Sequence, residues 1–124
     1  MSARKLAARF WVNGADAFVT LWHAGAVSVA VIAVFPVHPE KIDEFFSFFR
    51  TVLPATRGYD GCEVLETFVD MNDPGRVVLW ERWPTKDHHR RYLAWRNESD
   101  LGDKLAPYLS GRPSFTYLES RPDV

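Results

Sequence analysis

Three side chains on one face of a predicted helix have the types and spacings needed for acid–base catalysis on an aromatic substrate. His88, Tyr92 and Trp95 follow one another at spacings of 4 and 3 residues, so a helix would align them. Histidine has the ordinary pKa best suited to removing a proton near neutral pH, and a tyrosine hydroxyl can bond a substrate oxygen. We therefore predict His88 as the base and Tyr92 as the hydrogen-bond partner of the substrate.

Aromatic side chains near that face could hold a flat ring. The chain has five Trp, nine Phe and four Tyr, most of which are expected to be core. The helix that carries Tyr92 is expected to meet the preceding strand at Trp83, with either Glu81 or Trp80 according to register. The alternative is that this face only docks a helix and that the phenylalanines only pack. The predicted substrate-binding residues are Trp83, Trp95, Phe45, Phe49 and Trp80.

Metal, nucleophilic and dinucleotide chemistry lack their usual sequence signatures. Adjacent His88 and His89 would point about 100° apart on a helix and could not both face one ion. Cys62 is the only cysteine and has no cationic neighbour in sequence, so it is predicted to be a small buried hydrophobe. No glycine-rich loop joins a strand to a helix. We therefore expect no metal, flavin or heme cofactor.

Composition restricts the remaining function classes. A chain of 124 residues that is 47% hydrophobic and 25% charged is typical of one soluble domain. Its 15 basic and 16 acidic residues give a net charge of −1, which offers no field for nucleic acid or an anionic membrane. Asn13, Asp16 and His23 interrupt the apolar N-terminal run, so a cytoplasmic location is predicted rather than a signal peptide or membrane span.

The hydrophobic pattern predicts the order β-α-β-β-α-β, with a short extra helical segment before the last strand. The first strand is apolar on both alternating faces, and prolines end it and begin the first helix. The predicted elements are a strand over 27–35, a helix over 39–54, a strand over 62–70, a turn over 71–75, a strand over 76–83, a helix beginning after the Thr85 cap, a helical segment over 101–108 and a strand over 114–119.

This order is an α+β, ferredoxin-like unit with its helices on one face of the sheet. Because the first strand has nothing polar enough to face water on either side, the other face needs a cover. The pattern therefore predicts a homodimer formed sheet to sheet. Residues 1–26 are predicted to be an N-terminal extension of unknown role, either a hairpin around Asn13-Gly14 or a helix, packed on its own domain or on a partner chain.

Residues 57–83, with a few flanking positions, resemble a known family. The second strand opens after Gly61-Cys62, and the third ends on Glu81-Arg82-Trp83 before a helix. With a Pro39-Glu40-Lys41 helix start and a closing Tyr117, the pattern resembles the antibiotic biosynthesis monooxygenase family of the dimeric α+β barrel superfamily. The part of the chain that resembles this family spans residues 27–121.

The resemblance implies a cofactor-independent monooxygenase. In such enzymes a deprotonated phenol or quinol itself gives an electron to O2, while the protein supplies a base and excludes water. Many members carry a histidine where this chain has Tyr92, so His88, one turn earlier, would replace it. Glu81, part of the family's common Glu-x-Trp pattern, is expected to be structural or interfacial, paired with Arg57, Arg82 or Arg96.

The resemblance leaves two other functions open. The first is a non-catalytic dimeric domain that binds a small ligand or serves as a scaffold. The second is heme degradation, which would need His88 or His89 as the axial ligand. The expected partners under the leading hypothesis are a small aromatic substrate, O2 and a second copy of the chain.

Overall fold

The computed structural model describes residues 28–124, and the predicted extension over 1–26 lies outside the described residues. Four strands form one antiparallel sheet: β1 (Val29–Pro36), β2 (Val64–Asp70), β3 (Asp73–Trp83) and β4 (Ser114–Glu119). Their order in the sheet is β2-β3-β1-β4. The helices are α1 (Ile42–Arg57), α2 (Lys86–Asn97) and α3 (Leu101–Leu105), with 3-10 turns at Pro39–Lys41 and Ala106–Tyr108. The predicted α+β, ferredoxin-like unit is confirmed.

Two of the predicted helix limits depend on local capping chemistry. Thr85 is the N-cap of α2, as predicted, and its hydroxyl accepts a hydrogen bond from the backbone N–H of His88 at 3.2 Å. The predicted end of the first helix at residue 54 is wrong, because α1 continues past Pro54 to Arg57. Gly58 then closes α1, donating its N–H to the carbonyl of Pro54 at 3.1 Å.

The predicted turn over 71–75 is also wrong, because β3 begins at Asp73 and the bend is tighter. Asp70 pairs directly with Asp73 across the hairpin, so only Met71 and Asn72 form the turn. The Asp70 carboxylate accepts a hydrogen bond from the Asn72 N–H at 2.8 Å, which supports this short bend. Gly75 is therefore part of the strand, where its carbonyl accepts the Val37 N–H at 2.6 Å.

The core lies between one face of the sheet and the helices. Alternate residues are buried there from Val31 to Phe35 in β1 and from Gly75 to Trp83 in β3, and the register pairs Val31 with Glu81 and Ala33 with Leu79. The predicted division of β3 into two faces is confirmed, since Val77, Leu79, Glu81 and Trp83 are all buried. The residues of α1 that pack on this face are Phe45, Phe49, Val52 and Leu53.

The opposite face of the sheet carries apolar side chains that the described helices do not cover. Ile32 and Trp80 are paired neighbours there and remain partly accessible. Phe68 and Leu118 on the outer strands are 52% and 45% exposed. No helix among residues 28–124 is long and apolar enough to cross a bilayer.

Gly75 is predicted to tolerate no larger side chain. A Cβ added there would lie 2.5 Å from the backbone carbonyl oxygen of Val37, whereas one added at Gly102 in α3 would meet nothing within 4 Å. Because the backbone cannot move aside cheaply, we expect Gly75→Ala to lower the free energy of unfolding by about 1–3 kcal/mol. Gly102→Ala, the matched control, should be neutral or slightly stabilising. Urea unfolding measures both, and equal effects would contradict this account of the strand.

Candidate functional site

A cavity of about 290 Å³ lies between the helix-covered face of the sheet and the three helices. Phe35, Phe49 and Phe115 form much of its apolar wall, together with leucines from the sheet and from α3. Six side chains bring polar atoms to the same wall, and they come from three different elements. These are Thr56 on α1, Glu81 on β3, and His89, Tyr92, Arg96 and Asn97 on α2. The size and lining suit one small, mostly apolar ligand.

The first polar group is a buried carboxylate. Glu81 is 3% exposed, because the strand register points it at the helices beside buried Leu65 and Val31. Its Oε1 accepts a hydrogen bond from the Trp83 indole N–H at 2.8 Å. The same oxygen lies 3.5 Å from His89 Nε2. The Glu81 carboxylate therefore lies beside a histidine, and neither Arg57 nor Arg96 bonds to it as the sequence suggested.

His89 is fully buried and connects Glu81 to the last strand. Its Nδ1 lies 2.8 Å from the Tyr117 hydroxyl, and either group can be the donor. Within residues 28–124, Nε2 is the one fully buried side-chain nitrogen or oxygen atom without a hydrogen-bond partner. Such an atom is costly in an apolar interior unless a ligand or a proton transfer uses it. His89 is thus the least satisfied polar group of the described core.

Burial shifts both members of this pair toward their neutral forms. Desolvation raises the pKa of Glu81 from 4.5 to about 7, although the hydrogen bond from Trp83 opposes the shift. Desolvation also lowers the pKa of His89 from 6.5 to about 4. The 3.5 Å contact does not offset the loss of water around either group. Near neutral pH, Glu81 therefore exchanges a proton readily beside an uncharged imidazole.

The second polar group joins α1 to α2. The Tyr92 hydroxyl lies 2.6 Å from Thr56 Oγ1 and accepts a hydrogen bond from Arg96 Nε at 2.8 Å. Arg96 Nη2 donates to Thr56 Oγ1 at 2.9 Å and to the Val52 carbonyl at 2.9 Å. The predicted hydrogen-bonding role of Tyr92 is therefore already taken up by protein groups.

The structure places His88 outside the cavity. Its Nδ1 lies 2.8 Å from the capping hydroxyl of Thr85, and its ring lies against Gly61, where an added Cβ would be 2.8 Å from His88 Cδ2. The adjacent His89 turns inward instead. Tyr92 is four residues after His88 and three after His89, so helical spacing alone permits either histidine. His88 and Tyr92 are not brought together as a substrate-facing pair.

Of the five predicted substrate-binding residues, Phe49 lines the cavity and the other four do not. Phe45 is buried behind it, with ring centroids 4.2 Å apart. Trp83 supports the site from beneath, packing 5.3 Å from His89 and 5.4 Å from Tyr92. Trp95 is 40% exposed and packs on Tyr59 outside, while Trp80 lies on the opposite face of the sheet.

Several site residues were missed from the sequence. Thr56 falls beyond the predicted end of the first helix, and His89 was considered only as a metal or heme ligand. Phe115 and Tyr117 alternate in the last strand, which signals burial but no particular contact. Within the described part of the chain, no three His, Cys, Asp or Glu side chains gather closely enough to hold a metal ion.

Glu81 and His89 are predicted to make opposite contributions to the pH dependence of stability. Folding raises the Glu81 pKa, so the folded state holds that proton more tightly and stability falls as pH rises from 4.5 to about 7. Folding lowers the His89 pKa, so stability falls as pH drops from 6.5 to about 4. Glu81→Gln should leave only the second effect, a gain on the order of 3 kcal/mol as pH rises across that range.

Substitution of the other member of the pair, His89→Gln, is the control. His89→Gln should leave only the Glu81 effect, so that its stability decreases as pH rises from 4.5 to about 7. Urea unfolding at a series of pH values measures both slopes. If the parent and both variants gave parallel profiles, the buried pair would not titrate as described.

Comparison with known structures identifies similar folds. A conserved protein from Methanosarcina mazei Go1 aligns with a TM-score of 0.70 at 17% identity, covering 82% of this chain and 100% of that one. A Mycobacterium tuberculosis protein, Rv0793, aligns with a TM-score of 0.59 at 23% identity, covering 76% of this chain and 95% of that one. These two likenesses show the fold alone.

Two further comparisons concern the family. The crystal structure of an antibiotic biosynthesis monooxygenase aligns with a TM-score of 0.67 at 26% identity, covering 76% of this chain and 99% of that one. No curated protein is significantly similar in sequence. Residues 28–101, more than half of the chain, match the family profile described as antibiotic biosynthesis monooxygenase. The chain therefore belongs to the antibiotic biosynthesis monooxygenase family.

Proposed function

We propose that this protein is a cofactor-independent monooxygenase that oxidises a phenolic or quinol-type substrate with O2. The reaction takes place in the cavity between the sheet and the helices, with the Glu81–His89 pair as the base. The observation that supports this proposal is a carboxylate with a pKa of about 7 that lines an apolar cavity beside an uncharged, unpartnered imidazole nitrogen. A base is most effective when its pKa lies near the working pH.

The proposed chemistry needs no external reductant. Glu81 takes the hydroxyl proton of the phenol, and the resulting phenolate passes an electron to O2. The two radicals then form a carbon–oxygen bond. The bound peroxide takes the proton back from Glu81, the ring carbon that bears it loses its hydrogen as a proton, and the O–O bond breaks, so that carbon becomes a carbonyl. The product is a quinone that keeps one oxygen atom of O2, and the other oxygen leaves as water with these two protons. The protein supplies the base and an apolar wall that excludes bulk water from the reactive intermediates.

A non-catalytic ligand-binding domain remains the second candidate, and the same cavity would serve it. The Tyr92 hydroxyl is already hydrogen-bonded to Thr56 and Arg96, so it does not require a substrate oxygen as a partner. This observation favours the binding domain. Heme degradation is favoured less. The cavity of about 290 Å³ suits a small ligand, His88 lies outside it, and the fully buried Nε2 of His89 lies 3.5 Å from Glu81 Oε1.

Oxygen uptake with a panel of phenols and hydroquinones tests the proposal. We expect a rate that rises with pH through about 7, as Glu81 ionises. Glu81→Gln should reduce the rate by roughly 10²-fold or more, the usual scale for a lost general base. His89→Gln should also reduce it, whereas His88→Gln should not. If His88→Gln lost oxygen uptake while His89→Gln kept full activity, His88 would be the base instead. If no substrate caused oxygen uptake, the non-catalytic binding domain would be favoured.

We also propose that two copies associate through the open face of the sheet. Phe68, Trp80 and Leu118 leave apolar area on a face that no described helix covers. Family domains of this kind are often dimeric. A second copy would bury that area.

Sedimentation tests whether two copies associate. We expect a species of twice the 14.2 kDa chain mass at micromolar concentration. Phe68→Lys should weaken the dimer because it places a charge within the apolar face. Met71→Lys is the matched control, because Met71 is 97% exposed at the hairpin turn. A stable monomer in the parent protein would contradict the dimer.

A further inference from the structure

Arg96 is a fixed cation in the cavity wall whose charge no described carboxylate balances. Its three protein hydrogen bonds go to neutral acceptors: the Tyr92 hydroxyl, the Thr56 hydroxyl and the Val52 carbonyl, at 2.8, 2.9 and 2.9 Å. None of the ion pairs among residues 28–124 includes Arg96. The guanidinium also lies over two aromatic rings, 4.7 Å from Trp95 and 5.4 Å from Tyr92. These contacts hold its position without neutralising it.

The guanidinium retains unused hydrogen-bonding capacity. Arg96 carries five N–H donors, and the contacts with the described residues use Nε and Nη2. Nη1 makes no hydrogen bond to any described residue. A planar guanidinium that is fixed and only partly satisfied is well suited to an anionic oxygen, above all a carboxylate.

Along α2, Tyr92 lies between His89, three residues earlier, and Arg96, four residues later. The His89 and Tyr92 ring centroids are 6.0 Å apart, and the Tyr92 hydroxyl is hydrogen-bonded to Thr56 and Arg96 rather than to His89. One part of the cavity wall is therefore cationic, and another part accepts a proton. Phenylalanine rings line the space that both parts border. This arrangement matches an aromatic ring with an anionic group at one position and an ionisable hydroxyl at another.

We infer that the cavity selects hydroxylated aromatic carboxylates, with the carboxylate on Arg96 and the hydroxyl directed to Glu81 and His89. The hydroxyl half of this inference rests on the proposed function, whereas the carboxylate half is a statement about binding alone. A neutral phenol of the same size would leave the Arg96 charge unpaired in a partly desolvated site. The charged ligand therefore binds more tightly than its neutral analogue.

A matched pair of probes tests the preference in the unmodified protein. The probes are 2,5-dihydroxybenzoate and its methyl ester, which keeps the ring and both hydroxyls but removes the charge. We expect the acid to bind at least about 10-fold more tightly by calorimetry, the scale of a charge-assisted hydrogen bond. Equal or tighter binding of the ester, or no binding of either probe, would overturn the inference. In either case Arg96 would only join α1 to α2.

Two variants locate the preference at Arg96. Arg96→Gln should bind both probes equally, and Arg96→Lys, which keeps the charge but loses the planar fork, should fall between the parent and Arg96→Gln. Circular dichroism and urea unfolding establish whether each variant is folded. If Arg96→Gln does not fold, the preference of the parent protein for the acid and its reduction in Arg96→Lys still decide the question. A folded Arg96→Gln that kept the full preference would assign the carboxylate to another group and overturn the inference.

Oxygen uptake separates this inference from the proposed function. If the acid binds preferentially but neither it nor any phenol or hydroquinone of the panel causes oxygen uptake, the cavity is a carboxylate-selective binding site and the monooxygenase proposal fails. If hydroquinone and the ester are oxidised as efficiently as the acid, the monooxygenase proposal stands and the selectivity for carboxylates fails.

Discussion

The register between β1 and β3 is the constraint on which the candidate site depends. It pairs Val31 with Glu81, and side chains alternate between the two faces of a strand. Glu81 and Trp83 therefore point together at the helices, where the indole can donate to the carboxylate. A slip of one residue would place Trp80 and Arg82 inside and turn Glu81 to the open face. The hydrophobic residues that set this register thus also position the acid.

The core accommodates a pair of groups that would be costly if charged. Glu81 and His89 are enclosed by Trp83, Tyr92 and Phe115, and little water reaches either. An ion pair in that position would lose more hydration energy than a 3.5 Å contact returns, so both groups favour their neutral forms. The surrounding apolar contacts stabilise the fold without them. The pair is therefore better explained by chemistry than by stability.

The cavity combines two polar environments within one apolar wall. Burial favours the neutral form of Glu81 at one end, while at the other end the Arg96 guanidinium makes no ion pair with the described residues. Helix α2 contributes His89, Tyr92 and Arg96 at spacings of 3 and 4 residues, so one face of one helix joins both environments. Its N-cap at Thr85 sets where that face begins.

Much of the architecture could be predicted from sequence because it depends on local periodicity. The alternation of Val77, Leu79, Glu81 and Trp83, the Thr85 cap and the strand over 114–119 each follow from residue types within a few positions. The hairpin bend was misplaced because Pro74 and Gly75 usually mark turns. Here Gly75 is needed in the strand for the close approach of Val37.

By itself the sequence determined the order of elements, the buried face of β3 and the family pattern. Only the tertiary structure decided which histidine enters the cavity, because His88 and His89 both have helical spacings to Tyr92 and the docking of α2 chooses between them. It also placed Trp80 and Trp95 away from the cavity. The decisive contacts are long-range: Tyr117 reaches His89 across 28 residues, and Thr56 reaches Tyr92 across 36. No local pattern encodes such contacts, since they exist only once sheet and helices have packed together.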